Sequence, residues 1–360
     1  METKEEAMAF PRGTIDLMFC DDCGFIFNRS FEVSNVDYAA ATEESQHFSG
    51  TFSKFAEQLI ERISDQYSLQ DQSILEVGCG KGDFLLALSE KTGARALGVD
   101  PGFLPDRATD RREDVQFRRE YFTADTIQDR HDLVVCRHTL EHIPNVLDFM
   151  NDIMRAMHHR AGVSIFFETP CAKRVLEERA FWDIYYEHCS YFTEGSHARL
   201  FRRTGIGVTD TYRDYGDQYI IQSGEVGRHT PLLDREQDLD QIRAMVPAFR
   251  IDIHKQRAHW YDFIVSRARE GKNIALWGGG SKAVSFLTSN GLGDEVSSVV
   301  DINPFKQGMY LPGTGHQVVA PTALIENRPD TVVVMNPVYT QEITAQLNTL
   351  GLSPDIVALS

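Results

Sequence analysis

The stretch 74–84, ILEVGCGKGDF, constrains this chain more than any other. Ile74 and Leu75 lead through Glu76 into Gly78, Gly80 and Gly82, and Phe84, Leu85 and Leu88 then recur at helical spacing. The pattern predicts a strand, a glycine turn and a helix. Glycines let the backbone turn sharply and bring a ligand against bare main chain. Similar turns serve dinucleotides or simply pack a helix on a strand, so the glycines alone leave the ligand open. Two acids narrow the choice. Glu76 stands before the first glycine, where its carboxylate can face a cationic group. Asp100 closes the next apolar run, ALGVD, twenty residues after Gly80. An acid at that place can accept both hydroxyls of a ribose.

Alternation continues to residue 170. The runs ILEVG, ALGVD, VQFRREY, HDLVVCRHTLEHI and VSIFFETP alternate with helical patterns, which implies an α/β fold with a parallel sheet covered by helices. Ligands of such sheets sit at the carboxyl ends of the strands. His138, just past the fourth run, is placed to line that cleft. Glu141 and His142, in the LEHIP step that follows, read as packing and capping groups. Residues 51–67 carry a stripe of Phe52, Phe55, Leu59, Ile60 and Ile63, an amphipathic helix that either covers the sheet or closes over the ligand. Residues 196–227 finish the sheet with a helix and an antiparallel hairpin.

The pattern restarts near residue 273. IALWGGGSKAVSFL is again strand, glycines and helix, and SSVVDINPFKQG is a strand ending at Asp301. Gly279 and Ser281 can cradle a phosphate at the helix N-terminus, with Lys282 and Lys306 adding positive charge. The alternative is a unit that only packs. The expected division is a short-element piece over 1–50, the sheet domain over 51–228, a helical connector over 229–271 and a smaller α/β domain over 272–360.

Composition excludes several classes. A chain of 360 residues with 42% hydrophobic and 10% aromatic residues can bury the cores of two domains. A net charge of −17 argues against a broad nucleic-acid surface, which needs clustered cations. The first ten residues are acidic and polar, unlike a signal peptide, and no apolar run is long enough for a membrane span. Of six cysteines only Cys20 and Cys23 are close, so no disulfide framework and a reducing cytoplasm are expected. Cys20-x-x-Cys23 looks like one knuckle of a zinc ribbon. A structural zinc takes four ligands, usually two such pairs. With only His47 nearby in addition, no metal site is expected.

Residues 181–192, FWDIYYEHCSYF, crowd aromatics against an acid and an imidazole. They follow the fifth run and so land over the cleft. An imidazole held in a partly dry aromatic site can act as a general base near pH 7; a satisfied core histidine is the plainer alternative.

Taken together, these residues resemble the class I S-adenosylmethionine-dependent methyltransferases, and among them the C-methyltransferases of nucleotide-linked deoxysugars. The match at LEVGCGKG is shared with a large superfamily. WGGGSKAVSFL, VVDINPFKQGMYLPGTGH and VVVMNPVY are more specific, and the resemblance covers nearly the whole chain. It implies a zinc-ribbon-like N-terminal piece, a central Rossmann-like methyltransferase domain and a C-terminal Rossmann-like domain that anchors a nucleotide-sugar. Carried over, S-adenosylmethionine binds at Glu76, Gly78, Gly80, Gly82 and Asp100, with His138 lining its cleft. The substrate is a small molecule, a nucleotide-sugar held near Gly279, Ser281, Lys282, Asp301 and Lys306. The family's Tyr-x-Glu-His step falls on Tyr185, Glu187 and His188, which makes His188 the base, with Tyr185 and Glu187 positioning it or the substrate. The implied reaction is carbon methylation beside a ketone through an enolate. O- or N-methylation on the same fold, a nicotinamide oxidoreductase and a binding protein without catalysis are the rival readings. Two features depart from the family. Its first cysteine pair is missing, and residues 215–219, YGDQY, stand where keto-sugar enzymes often carry a His-Gly-Gly stretch.

Overall fold

The computed structural model describes residues 1–38, 46–105, 113–127 and 129–360. Helix α1 (Lys4–Ala9) opens the chain, and strands β1 (Leu17–Phe19) and β2 (Ile26–Asn28) form an antiparallel hairpin. Cys20 and Cys23 lie in its turn. Helix α2 (Gly50–Gln66) begins at Ser49, whose hydroxyl accepts from the Phe52 N–H, and buries the predicted stripe from Phe52 to Ile63.

Strand β3 (Ser73–Val77), helix α3 (Asp83–Thr92), strands β4 (Arg95–Val99), β5 (Val115–Arg118) and β6 (Leu133–Arg137) and helix α4 (Val146–Ala156) then alternate. They are followed by β7 (Ser164–Pro170), α5 (Ala172–Glu178), β8 (Ser190–Tyr191), α6 (Glu194–Arg203), β9 (Ile206–Asp214) and β10 (Tyr219–Val226). Seven of these strands form one sheet in the order β5-β4-β3-β6-β7-β10-β9, parallel except for β10. Every residue of β3 and β6 is buried, as expected for strands covered on both faces. The order reverses between β3 and β6, which opens a crevice at their carboxyl ends. Strand β8 leaves this sheet and pairs with β2 instead.

Helix α7 (Leu239–Arg269) contains Pro247 and leads into β11 (Ile274–Trp277), α8 (Ser281–Asn290), β12 (Ser298–Val300) and β13 (Val318–Val319). Helix α9 (Leu324–Asn327), β14 (Thr331–Val334), α10 (Thr340–Thr349) and β15 (Asp355–Ala358) complete a parallel five-stranded sheet, ordered β13-β12-β11-β14-β15.

The packing does not follow the linear division. Val175, Phe181 and Trp182 lie in one apolar cluster with Trp260, Ile274 and Phe286. The stretch after β7 is therefore built into the core of the second sheet, although a boundary at 228 assigns it to the first. The N-terminus also reaches that unit: the Tyr310 N–H donates to the Met1 carbonyl at 2.8 Å and the Gly313 N–H to that of Ala7 at 2.7 Å. Among the described residues, no helix is long and apolar enough to cross a membrane.

Candidate active site

Gly78 and Gly80 have left-handed φ of 75° and 56°, which side chains rarely adopt. A Cβ on Gly78 would lie 1.9 Å from Thr139 Oγ1, whereas one on Gly80 would meet nothing within 4 Å. Gly80 thus offers bare backbone to the cleft. Its N–H donates to Asp100 Oδ2 at 2.9 Å, and the Gly102 N–H donates to Oδ1 at 2.7 Å. Gly82 does something else. It lies against the Phe117 ring, 2.6 Å from where its Cβ would be, and does not line the cleft.

Glu76 is buried on β3 with 2% of its surface exposed, and its Oε2 has no hydrogen-bond partner. Burial raises its pKa to about 8, against the opposing pull of Arg137. A buried carboxyl lacking a partner at the cleft fits a cationic ligand group that would complete it.

Arg137 Nε donates to Glu168 Oε2 at 2.9 Å, and His138 Nε2 lies 2.6 Å from Glu168 Oε1. His138 Nδ1 is 3.5 Å from Glu141 Oε1. Burial alone would lower the His138 pKa, but Glu168 and Glu141 outweigh it and lift it to about 9. Burial likewise opposes ionisation of Glu168, and Arg137 and His138 overcome it, bringing its pKa to about 2. His138 holds this place with a left-handed φ of 49°. The structure does set His138 in the cleft wall. In the sequence, Arg137 and Glu168 carry no signal beyond a charge inside or ending an apolar strand.

Tyr185 and His188 face the same cleft, with ring centroids 4.2 Å apart, and the His142 ring lies 4.8 Å from that of His188. One donor atom each of Glu141, His142 and His188 fall within 4.8 Å of one another. Glu141 and His142 therefore line the cleft beside His188. Burial, with His142, His138 and Lys282 nearby, holds the His188 pKa well below the usual imidazole range. The carbonyl of Glu187 accepts from Tyr38 Oη and His142 Nδ1, each at 2.9 Å. Glu187 thus anchors the segment through its main chain. Helix α2 sits over this region with Phe52 in the cleft wall. Its first turn is held by Glu342 of α10, whose Oε2 accepts from Ser49 Oγ at 2.8 Å and Thr51 Oγ1 at 2.6 Å.

The second glycine turn lines the same cleft, about 1780 Å³ in volume, through Gly279, Ser281, Asp301 and Lys306. Lys282 also reaches it, but its Nζ contacts Asp183 Oδ1 at 2.5 Å and Gln218 Oε1 at 3.1 Å. Asp183 also accepts from Arg174 Nη1 at 2.8 Å. Among the described residues, nothing joins Cys20 and Cys23 in a group of three or more metal-ligating side chains.

A model of the methyltransferase domain matches residues 48–211, and a model of the C-methyltransferase C-terminal domain matches residues 226–352. Together the two matches support a class I S-adenosylmethionine-dependent methyltransferase of the C-methyltransferase family. It is similar to the C-methyltransferase NovU of Streptomyces niveus, at 27% identity over 78% of this chain and 73% of that one. A ubiquinone biosynthesis O-methyltransferase of Hydrogenovibrio crunogenus is 30% identical over 38% of this chain and 59% of its own length. A putative S-adenosylmethionine dependent methyltransferase structure from Listeria monocytogenes matches 49% of this chain and 100% of its own at 11% identity, with a TM-score of 0.39. The methyltransferase uses S-adenosylmethionine. The Glu76 carboxyl, whose Oε2 has no hydrogen-bond partner, fits the ammonium of that cofactor, and the open space at Gly80 fits its close approach to the main chain.

Proposed function

We propose that this enzyme methylates a carbon beside the ketone of a nucleotide-linked sugar, with His188 as general base. One observation carries the reading: a single cleft is lined by Gly80 and Asp100, by Tyr185 and His188, and by Gly279 and Asp301. A cofactor on the first turn and a nucleotide on the third set would bring a sugar to the histidine between them. In this reading residues 51–228 carry the transfer, 229–271 connect, and 272–360 anchor the nucleotide. All six cysteines are free thiols, which supports a reducing, cytoplasmic setting.

S-adenosylmethionine supplies an electrophilic methyl group on a positively charged sulfur. His188, neutral at pH 7, takes the proton from the carbon next to the carbonyl. Tyr185 stands beside it to donate to the enolate oxygen, and a carboxylate oxygen of Glu141 lies near enough to stabilise the imidazolium. The chain must hold the enolate carbon about 3–3.5 Å from the methyl group, which favours clamping between two sheets. Product analysis tests the reading. A keto-sugar nucleotide should gain a carbon-bound methyl and lose one carbon-bound hydrogen. A methylated hydroxyl would put O-methylation in its place.

A further inference from the structure

His188 stands at one end of a tight turn. Its N–H donates to the Tyr185 carbonyl at 3.2 Å. Tyr186 and Glu187 form the corner, and Tyr185 and His188 meet across it with their rings in contact. The corner is held at both residues. The Glu187 carbonyl is taken by Tyr38 and His142. Tyr186 is held by its side chain, and the groups that hold it come from residues 13–35. Its ring lies against Gly13 and against Phe31, whose ring centroid is 5.3 Å away. Its hydroxyl accepts from the Glu32 N–H at 2.9 Å and from Asn35 Nδ2 at 3.1 Å.

Gly13 is required here for space. Its φ is not left-handed, yet a Cβ would fall 1.9 Å from Tyr186 Cε2 and 2.4 Å from Cδ2. The free tip of a side chain could swing away from such an approach. A ring pinned at its hydroxyl cannot move without drawing on the corner that carries it. Nor is Gly13 itself free to retreat. Arg12 Nη2 donates to the Gly313 carbonyl of the second unit at 2.7 Å. On the other side, buried Asn28 of β2 donates Nδ2 to the Thr14 carbonyl at 3.1 Å, and its Oδ1 accepts from the Asp16 N–H at 2.9 Å. The Asn28 N–H in turn donates to the carbonyl of Cys189, next to His188, at 2.9 Å.

We infer that Tyr186 is a positioning residue for the base: seated in the socket of Gly13, Phe31, Glu32 and Asn35, it sets the turn that aims His188 and Tyr185 into the cleft. This rests on His188 acting as the base, as proposed above. Misplacing a reacting group by about 1 Å costs on the order of a hundredfold in rate, so the fit at Gly13 bears on turnover.

Gly13→Ala in the full chain tests this with two readouts. One is methyl transfer to a keto-sugar nucleotide. The other needs no substrate: the ring-nitrogen magnetic resonance signals of His188, in protein labelled at histidine and assigned with His188→Ala. Turnover should fall roughly tenfold or more while S-adenosylhomocysteine affinity stays the same. The His188 signals should move, and those of exposed His254 on α7 should not. Tyr186→Ala should lose turnover as well, and adding Gly13→Ala to it should cost little more, because the clash is gone. Tyr186→Phe, which keeps the ring, should recover most of the loss. Wild-type turnover or unmoved His188 signals in Gly13→Ala, an equal loss of S-adenosylhomocysteine affinity, or losses that simply add in the double variant each overturn the inference. If the wild type methylates no keto-sugar nucleotide, the sugar reading falls by itself, and the His188 signals still decide the positioning. Should Tyr186→Ala fail to fold, Gly13→Ala and Tyr186→Phe decide.

Discussion

Lys282 Nζ of α8 lies 2.5 Å from Asp183 Oδ1, two residues before Tyr185. This pair ties the start of the helix after the second glycine turn to the segment bearing His188. Lys282 was expected to offer charge to a substrate, but its charge is already balanced by a carboxylate. Lys282→Met should therefore act mainly on stability, by about 1–3 kcal/mol, with Arg174 still holding Asp183. Lys306→Met should leave the melting temperature nearly unchanged and weaken binding of a nucleoside diphosphate. Thermal melts beside nucleotide titrations check both. A Lys282→Met protein of wild-type stability that no longer binds nucleotide would reverse the assignment.

Cofactor binding should release a proton through Glu76. Its pKa of about 8 leaves it largely neutral at pH 7, and pairing with the cofactor ammonium favours the carboxylate. Affinity for S-adenosylhomocysteine should rise from pH 6 toward pH 8, as the Glu76 proton becomes easier to release. Calorimetry in two buffers of different ionisation heat should show close to one proton released at pH 7. Identical heats in both would contradict it.

Glu76→Gln should bind the cofactor poorly yet fold more stably. The folded pKa lies above the ordinary carboxyl value of 4.5, so folding penalises the ionised form. That penalty grows as pH rises from the unfolded to the folded pKa. The gain in melting temperature should accordingly be larger at pH 8 than at pH 5. The opposite trend would show that Glu76 is paired in the free protein.

Asp100→Asn should weaken S-adenosylhomocysteine binding over tenfold by removing a charged acceptor of the ribose hydroxyls. An affinity within twofold of wild type would move the ribose elsewhere.

His188→Ala should spare cofactor binding and lower turnover roughly 10²–10⁴-fold. In deuterated water with a keto-sugar nucleotide and S-adenosylhomocysteine, the wild type should wash deuterium into the carbon beside the ketone, and the variant should not. Because burial lowers the His188 pKa, the base is already unprotonated at neutral pH. Its loss on the acid side of the kcat profile should fall below pH 6.5. Equal exchange by both proteins would place proton removal on another group.

Much of this protein was legible one segment at a time. The strand–glycine–helix runs at 74–84 and 274–287, and the acids Asp100 and Asp301, follow from local backbone rules, since a glycine turn and the strand beside it recur at near-fixed spacing. The stripe of α2 and the antiparallel β9–β10 hairpin are equally local. The site's electrostatics were not. Glu168 meets Arg137 and His138 across neighbouring strands, and His142 meets His188 only because the 181–188 segment folds back over the cleft. Phe181 and Trp182 lie near the first sheet in sequence and bury in the second core. Periodicity shows which side of a strand or helix is apolar, but not which distant surface will cover it. Only the tertiary structure decided that, because pairing of charges and burial of side chains depend on neighbours tens to hundreds of residues away.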